Sequence, residues 1–154
     1  ICLFFSSHQK VFENMTFIPN RWCHRCSASK GYSNAQIEWL EYLITSLNIQ
    51  IQHALSPSGE HHIKGIGKVD GYHHESKTVY EYHGDFWHGN PKKYKHDDIH
   101  PVSKKPFGVL FKATVKREIL CKRMGYNYVC IWDSEWNKKQ IQAKDMRNKN
   151  INVL

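Results

Sequence analysis

The sequence predicts an α/β fold with the element order α-β-β-β-α-β. Three observations carry that expectation. A capping box opens an amphipathic helix near residue 33. Two alternating segments bracket the polar stretch "HHESK". A basic helix then ends at a glycine, just before the apolar run "YNYVCIW".

Residues 1 to 30 show weak periodicity and read as an N-terminal arm or the remnant of a preceding module. "SNAQ" at 33 to 36 has the capping-box spacing, with Ser33 as N-cap and Gln36 three residues on. Ile37, Leu40, Ile44 and Leu47 follow at helical spacing, so a helix is expected over 34 to 48. "IQIQHAL" at 49 to 55 alternates at first like a strand, and "SPSG" at 56 to 59 is a turn. Residues 66 to 72 and 78 to 83 alternate on either side of "HHESK" and read as a β-hairpin. A Pro- and Lys-rich loop covers 89 to 107, and a second helix covers 108 to 124, stopping at Gly125 as a C′ glycine. "YNYVCIW" at 126 to 132 reads as a buried strand, and the tail from Lys138 as a polar, fraying helix. The expected division is an arm over 1–31, a core over 32–137 and a tail over 138–154.

A chain of 154 residues suits one domain with a real core. No apolar run approaches the roughly 18 residues of a membrane helix. "ICLFF" at the start is short for a signal peptide and no small-residue cleavage site follows it. The start at Ile1 raises the expectation of a longer parent chain. A formal net charge of +8 favours a polyanionic partner, nucleic acid before membrane surface. Five cysteines make a poor disulfide framework and fit a reducing intracellular compartment, cytoplasm or nucleus. Cys23 and Cys26 form "CHRC", half of a zinc site. Cys121 and Cys130 sit in apolar patterns and read as small core residues.

One stretch resists a purely structural reading. "YEYHGDFWHGN", 80 to 90, packs two acids, two histidines, two glycines and four aromatics into eleven positions. With the hairpin turn centred between Glu75 and Ser76, Asp70 faces Glu81. Directly opposed residues share a face, with Cβ atoms roughly 4.5–5.5 Å apart. Period-2 alternation puts His83 on that face too. Two carboxylates so close repel, and a divalent cation, Mg²⁺ or Mn²⁺, is the natural remedy. The alternative is a polar hairpin face bearing unrelated charges, since a one-residue slip would separate the pair.

Asp70 followed by Glu81-Tyr82-His83 resembles the D…(D/E)xK pattern of the PD-(D/E)xK nuclease superfamily, with His83 where lysine is usual. "HGDFWH" at 83 to 88, a basic helix and "GYNYVCIWDSEW" at 125 to 136 resemble the very-short-patch-repair mismatch endonucleases and their viral and mobile-element relatives. The resemblance spans about residues 32 to 136. It implies a restriction-endonuclease-like core, with a mixed central sheet flanked by helices. It also implies metal-dependent cleavage of DNA, double-stranded for preference, with Mg²⁺ or Mn²⁺ as cofactor.

Roles follow from the resemblance position by position. Asp70 takes the place of the metal aspartate, and Glu81 that of the superfamily's second acid. The mismatch enzymes lack an acid there and use the next backbone carbonyl, here that of Tyr82. His88 matches a histidine that activates or positions water, and its ordinary pKa near 6.5 suits proton transfer. His83 replaces the lysine. Glu38, early in the first helix, stands where many relatives carry an acid that reaches the metal through water, or it is simply solvated. Phe86 and Trp87 match aromatics that wedge between base pairs, with core packing as the alternative. The structural zinc of the mismatch enzymes is not expected, because Asp85, Asn90 and Lys92 stand at its ligand positions.

Lys92, Lys93, Lys95, Lys104 and Lys105 lie in the loop, and Lys112, Lys116, Arg117, Lys122 and Arg123 load the second helix. Such residues hold phosphates without reading sequence, Arg117 first among them, and Arg117 shares one helix face with Thr114 and Cys121 at i, i+3, i+7. Two rival functions stay open: a nuclease-fold DNA-binding module that no longer cleaves, and a small zinc-binding interaction domain built on "CHRC" and the histidines.

Overall fold

A computed structural model describes residues 31–151, with side chains to 146. Cys23 and Cys26 lie outside the described residues, and so does the zinc expectation attached to them. Helix α1 (Asn34–Leu47) begins as the sequence predicts. The Ser33 hydroxyl accepts from the Gln36 N–H at 3.0 Å, and Gln36 Oε1 accepts from the Ser33 N–H at 3.4 Å. Asn48 ends the helix in the left-handed region at φ 53°, which asparagine tolerates. The buried stripe is rotated from the expected one. Gln36, Trp39 and Leu40 are buried, while Leu47 is 55% exposed. Trp39 turns the helix, because its ring packs on Tyr80 and Tyr82, each at 6.2 Å between centroids.

Four strands form one mixed sheet: β1 (Gln52–His53), β4 (Gly71–His73), β5 (Thr78–His83) and β6 (Asn127–Trp132), in the order β1-β4-β5-β6. The first two pairings are antiparallel and β5–β6 is parallel. A separate ribbon pairs β2 (His62–Ile63) with β3 (Gly67–Lys68). The single strand expected over 66 to 72 is instead divided between this ribbon and β4. Gly65 and Gly67, at φ 88° and 98°, turn the backbone where a continuous strand was expected.

The hairpin register is the expected one, with Gly71 opposite Tyr80, Tyr72 opposite Val79 and His73 opposite Thr78. Alternation therefore places Asp70, Tyr72, Val79, Glu81 and His83 on one sheet face, joined through the β5–β6 pairing by Tyr128 and Trp132. Tyr80, Tyr82 and Ile131 point to the other face. There they form a core with Trp39, Leu40, Ile51 and Trp136. Gly71 is needed for that packing: a Cβ on it would lie 2.7 Å from Leu40 Cδ2 and 2.9 Å from Ile51 Cγ2.

On the Asp70 face, a one-turn helix α2 (Asp85–His88) follows β5, and after a loop comes α3 (Phe107–Arg123). Gly89 ends α2 at φ 67° and lies close to α3, so that a Cβ on it would be 2.4 Å from the Phe107 carbonyl oxygen. Helix α3 ends before Gly125, whose φ of 84° is the left-handed turn expected there. Its buried Cys121 packs with Ile63, Val69, Tyr72 and Val79 in a second core.

Strand β6 corrects the reading of "YNYVCIW" as buried. It is the sheet edge, with Val129 40% exposed and Cys130 exposed as well, so only Cys121 of the two is a core residue. An edge strand has a neighbour on one side only, which leaves its apolar run half covered. Helix α4 (Asp133–Ile151) starts directly after β6 and runs through the boundary expected at 137. Trp136 anchors it at 5% exposure. No helix among the described residues is long and apolar enough to cross a membrane.

Candidate active site

The start of β4 and the second half of β5 bring Asp70 and Glu81 together. Asp70 lies just before β4, and its Oδ2 accepts from the Tyr82 backbone N–H at 2.7 Å. In an extended strand a residue's N–H and C=O face the same neighbour. The Tyr82 carbonyl therefore faces the Asp70 edge too, just outside the start of β4. Burial, then the charge of Glu81, pushes the Asp70 carboxyl up to about 7. Glu81 is 5% exposed, and burial raises its carboxyl too, against the opposing pull of Arg117.

Arg117 reaches in from α3 and is half-occupied by backbone. Its Nε and Nη2 donate to Glu81 Oε1 at 3.1 and 2.8 Å. Nη1 donates to the Ile66 carbonyl at 2.8 Å, and Nη2 also donates to the Lys68 carbonyl. Thus the guanidinium ties Glu81 to the segment that leads into Asp70. Most of its five donors are used, which turns it inward rather than toward an incoming phosphate.

His83 and His88 complete this face, with ring centroids 4.7 Å apart. His83 is 2% exposed, and burial, then the charges of His88 and Arg117, pushes it down to about 3. Its Nε2 meets the Tyr128 hydroxyl at 3.3 Å, while Nδ1 is buried with no hydrogen-bond partner. Burial, then Arg117, lowers His88 as well. Both rings are thus held neutral near pH 7. His83 therefore carries no charge in the place where the resemblance has lysine.

The site offers a cation two carboxylates and one backbone carbonyl. Among the described residues no group of three or more His, Cys, Asp or Glu side chains is arranged to hold a metal ion. Such a set fits Mg²⁺ or Mn²⁺, because hard cations accept oxygen donors and Mg²⁺ keeps several waters and substrate oxygens in its shell. The Asp70 carboxyl near 7 points the same way, since burial and the neighbouring Glu81 charge outweigh the pull of Arg117, whose guanidinium clamps Glu81 and not Asp70.

The aromatic pair divides. Phe86 packs against His100, Tyr94 and Phe107 at 4.0, 6.2 and 5.9 Å between centroids. Trp87 is 61% exposed. Behind them Asp85 Oδ1 accepts from Asn90 Nδ2 at 2.6 Å and from Ser134 Oγ at 3.2 Å. Asn90 is 1% exposed, and its Oδ1 accepts from the Lys92 N–H at 3.0 Å. A hydrogen-bonded staple therefore spans Asp85, Asn90 and Lys92 and pins α2 to the start of α4.

Glu38 stands apart from Asp70 and Glu81. It is exposed on α1, the helix that packs on the opposite sheet face, and accepts from Gln140 Nε2 at 3.0 Å. The nearby Tyr82 hydroxyl donates to Asp133 Oδ1 at 2.5 Å. Lys92 and Lys93 are exposed beside α2, and Lys92 pairs with Glu135 at 2.9 Å. Lys112 and Lys116 are exposed on α3, turned away from Thr114 and Arg117.

Three residues at this face have no role that the sequence suggests. Glu60 sits in a turn, pairs with Lys68 at 3.6 Å, and its charge raises both Asp70 and Glu81. Tyr128 was read only as part of an apolar strand. Thr114 was placed on the Arg117 face by helical spacing, with no role attached. No family model, no curated protein and no solved structure matches the chain.

Proposed function

We propose that this chain is a metal-dependent DNA endonuclease of the PD-(D/E)xK type, with a restriction-endonuclease-like core. The observation that carries the reading is the meeting of Asp70, Glu81, His83 and His88 on one sheet face, with the Asp70 carboxyl pushed up to about 7. The likeness of "HGDFWH" and "IWDSEW" to the mismatch endonucleases supports it. Asp70, Glu81 and the Tyr82 carbonyl would hold Mg²⁺ or Mn²⁺. When bound, the ion supplies Lewis-acid polarisation of a phosphate oxygen and acidifies a water.

The chain's own residues do the rest. Arg117 holds Glu81 by one oxygen and leaves Oε2 free of that clamp. His88, neutral near pH 7, accepts a proton from the attacking water. His83 stays neutral beside it and keeps a second positive charge away from that proton. Trp87 stands exposed to stack on or wedge between bases. Lys92 and Lys93 flank it and hold phosphates, while Lys112 and Lys116 add positive field from the outer side of α3.

The test is incubation of plasmid and oligonucleotide duplexes with the protein in Mg²⁺, in Mn²⁺ and in chelator. Cleavage in either metal and none in chelator supports the reading. Duplex binding without cleavage in any metal would leave a DNA-binding module instead.

A further inference from the structure

His88 makes its ring hydrogen bond through Nδ1, which lies 3.1 Å from Thr114 Oγ1. The same hydroxyl lies 3.2 Å from the Leu110 carbonyl and 3.4 Å from the His88 carbonyl. A hydroxyl has one proton and two lone pairs, whereas a carbonyl only accepts. If the Thr114 proton goes to a carbonyl, a lone pair remains for Nδ1, and Nδ1 must carry a proton. That arrangement makes two hydrogen bonds. In the opposite tautomer Thr114 donates to a bare Nδ1, which makes one and sets Oγ1 lone pairs against two carbonyl oxygens. The first arrangement wins by about one hydrogen bond. Thr114 is itself 8% exposed and fixed within α3, so its hydroxyl has little freedom to turn elsewhere.

We propose that Thr114 is a positioning residue that holds His88 as the Nδ1–H tautomer, so that Nε2 is the ring atom left to accept a proton from the attacking water. The tautomer stands on geometry alone, and the proton's use rests on the nuclease reading. Neutral His88 near pH 7 gives the tautomer its meaning, because a doubly protonated ring would have no acceptor. Thr114 touches neither substrate nor metal in this scheme and acts only through His88.

The direct readout is the ring ¹⁵N spectrum of His88 in protein without metal or DNA, at pH 7.5. The expected result is a protonated-type Nδ1 and an imine-type Nε2 in the wild type and in Thr114→Ser. Thr114→Val, close in shape but without a donor or acceptor, is expected to lose that pattern and give an Nε2–H or mixed ring. A wild-type ring protonated on Nε2, or an unchanged ring in Thr114→Val, overturns the proposal. Cleavage supplies the second arm. Thr114→Val is expected to lower kcat by about 10²-fold, the smaller end of general-base effects, with KM little changed and Thr114→Ser restoring most of the loss. Full kcat in a Thr114→Val protein that has lost the tautomer overturns the catalytic half. A wild type that shows the tautomer and cleaves nothing defeats the nuclease reading and leaves the tautomer assigned.

Discussion

The Tyr82 backbone N–H donates to Asp70 Oδ2 at 2.7 Å. This one bond carries the β4–β5 pairing one step past Gly71, the first residue of β4. It fixes the Asp70 carboxylate on the edge where the Tyr82 carbonyl emerges. The bond favours the charged carboxylate, yet burial and Glu81 outweigh it and hold the carboxyl near 7.

Metal binding must displace that proton, so it should depend on pH. The folded carboxyl sits at about 7, far above its ordinary value of 3.8. Affinity for Mn²⁺ alone should rise with pH and level off above about 7, falling up to tenfold per unit below it. Calorimetry at pH 6, 7 and 8 should show roughly one proton released per ion at the lowest pH. An affinity flat across that range would mean the acids are already ionised. Stability of the metal-free protein has the opposite sign. A raised carboxyl costs the metal-free fold stability as pH climbs from about 4 to 7. His83, lowered to about 3, acts the other way and costs stability as pH falls from about 6.5.

Arg117→Met should destabilise the fold by about 3–5 kcal/mol, because it strands the buried Glu81 carboxylate. Glu81→Gln in the same chain should recover part of that loss, since a neutral amide is cheaper to bury. Urea unfolding of the two single variants and the double variant measures the coupling. A loss below about 0.5 kcal/mol in Arg117→Met would place the pair with exposed salt bridges instead.

Phe86 and Trp87 should separate by which free energy each variant lowers. Trp87→Ala should weaken duplex binding by about ten- to a hundred-fold, matching roughly 1–3 kcal/mol for a stacked base. Its melting temperature should change little, because the ring is 61% exposed. Phe86→Ala should cost about 3 kcal/mol of stability through lost packing on Phe107 and His100. Fluorescence anisotropy and thermal melts decide between them. Unchanged affinity in Trp87→Ala would remove the wedge role from this pair.

Much of this was legible in the sequence where local rules act alone. Ser33 and Gln36 form the capping box their spacing announced, and the "HHESK" turn set the register that brings Asp70 beside Glu81. What failed to read out depends on tertiary neighbours. β6 looks like a core strand because its apolar residues are there, but only the sheet order makes it an edge. The ribbon at His62–Lys68 is too short to show a period. Arg117 reads from the sequence as a phosphate-holding cation, and nothing local says that it turns inward to Glu81. Glu60 belongs to the site by contact across the fold, and so does the Thr114 hydroxyl through His88; spacing along the chain encodes neither contact.

The most direct measurement compares wild type with Asp70→Asn on plasmid and duplex oligonucleotide DNA, in Mg²⁺, in Mn²⁺ and in chelator, with binding measured alongside. The amide removes one metal-binding oxygen and one negative charge from the phosphate path, while the small change in shape preserves the fold. The expected result is cleavage by the wild type in metal only. Asp70→Asn should show no cleavage in any arm and duplex binding as tight as the wild type or tighter. Cleavage by Asp70→Asn at the wild-type rate would contradict the assignment of Asp70, Glu81 and the Tyr82 carbonyl as the metal site of a nuclease.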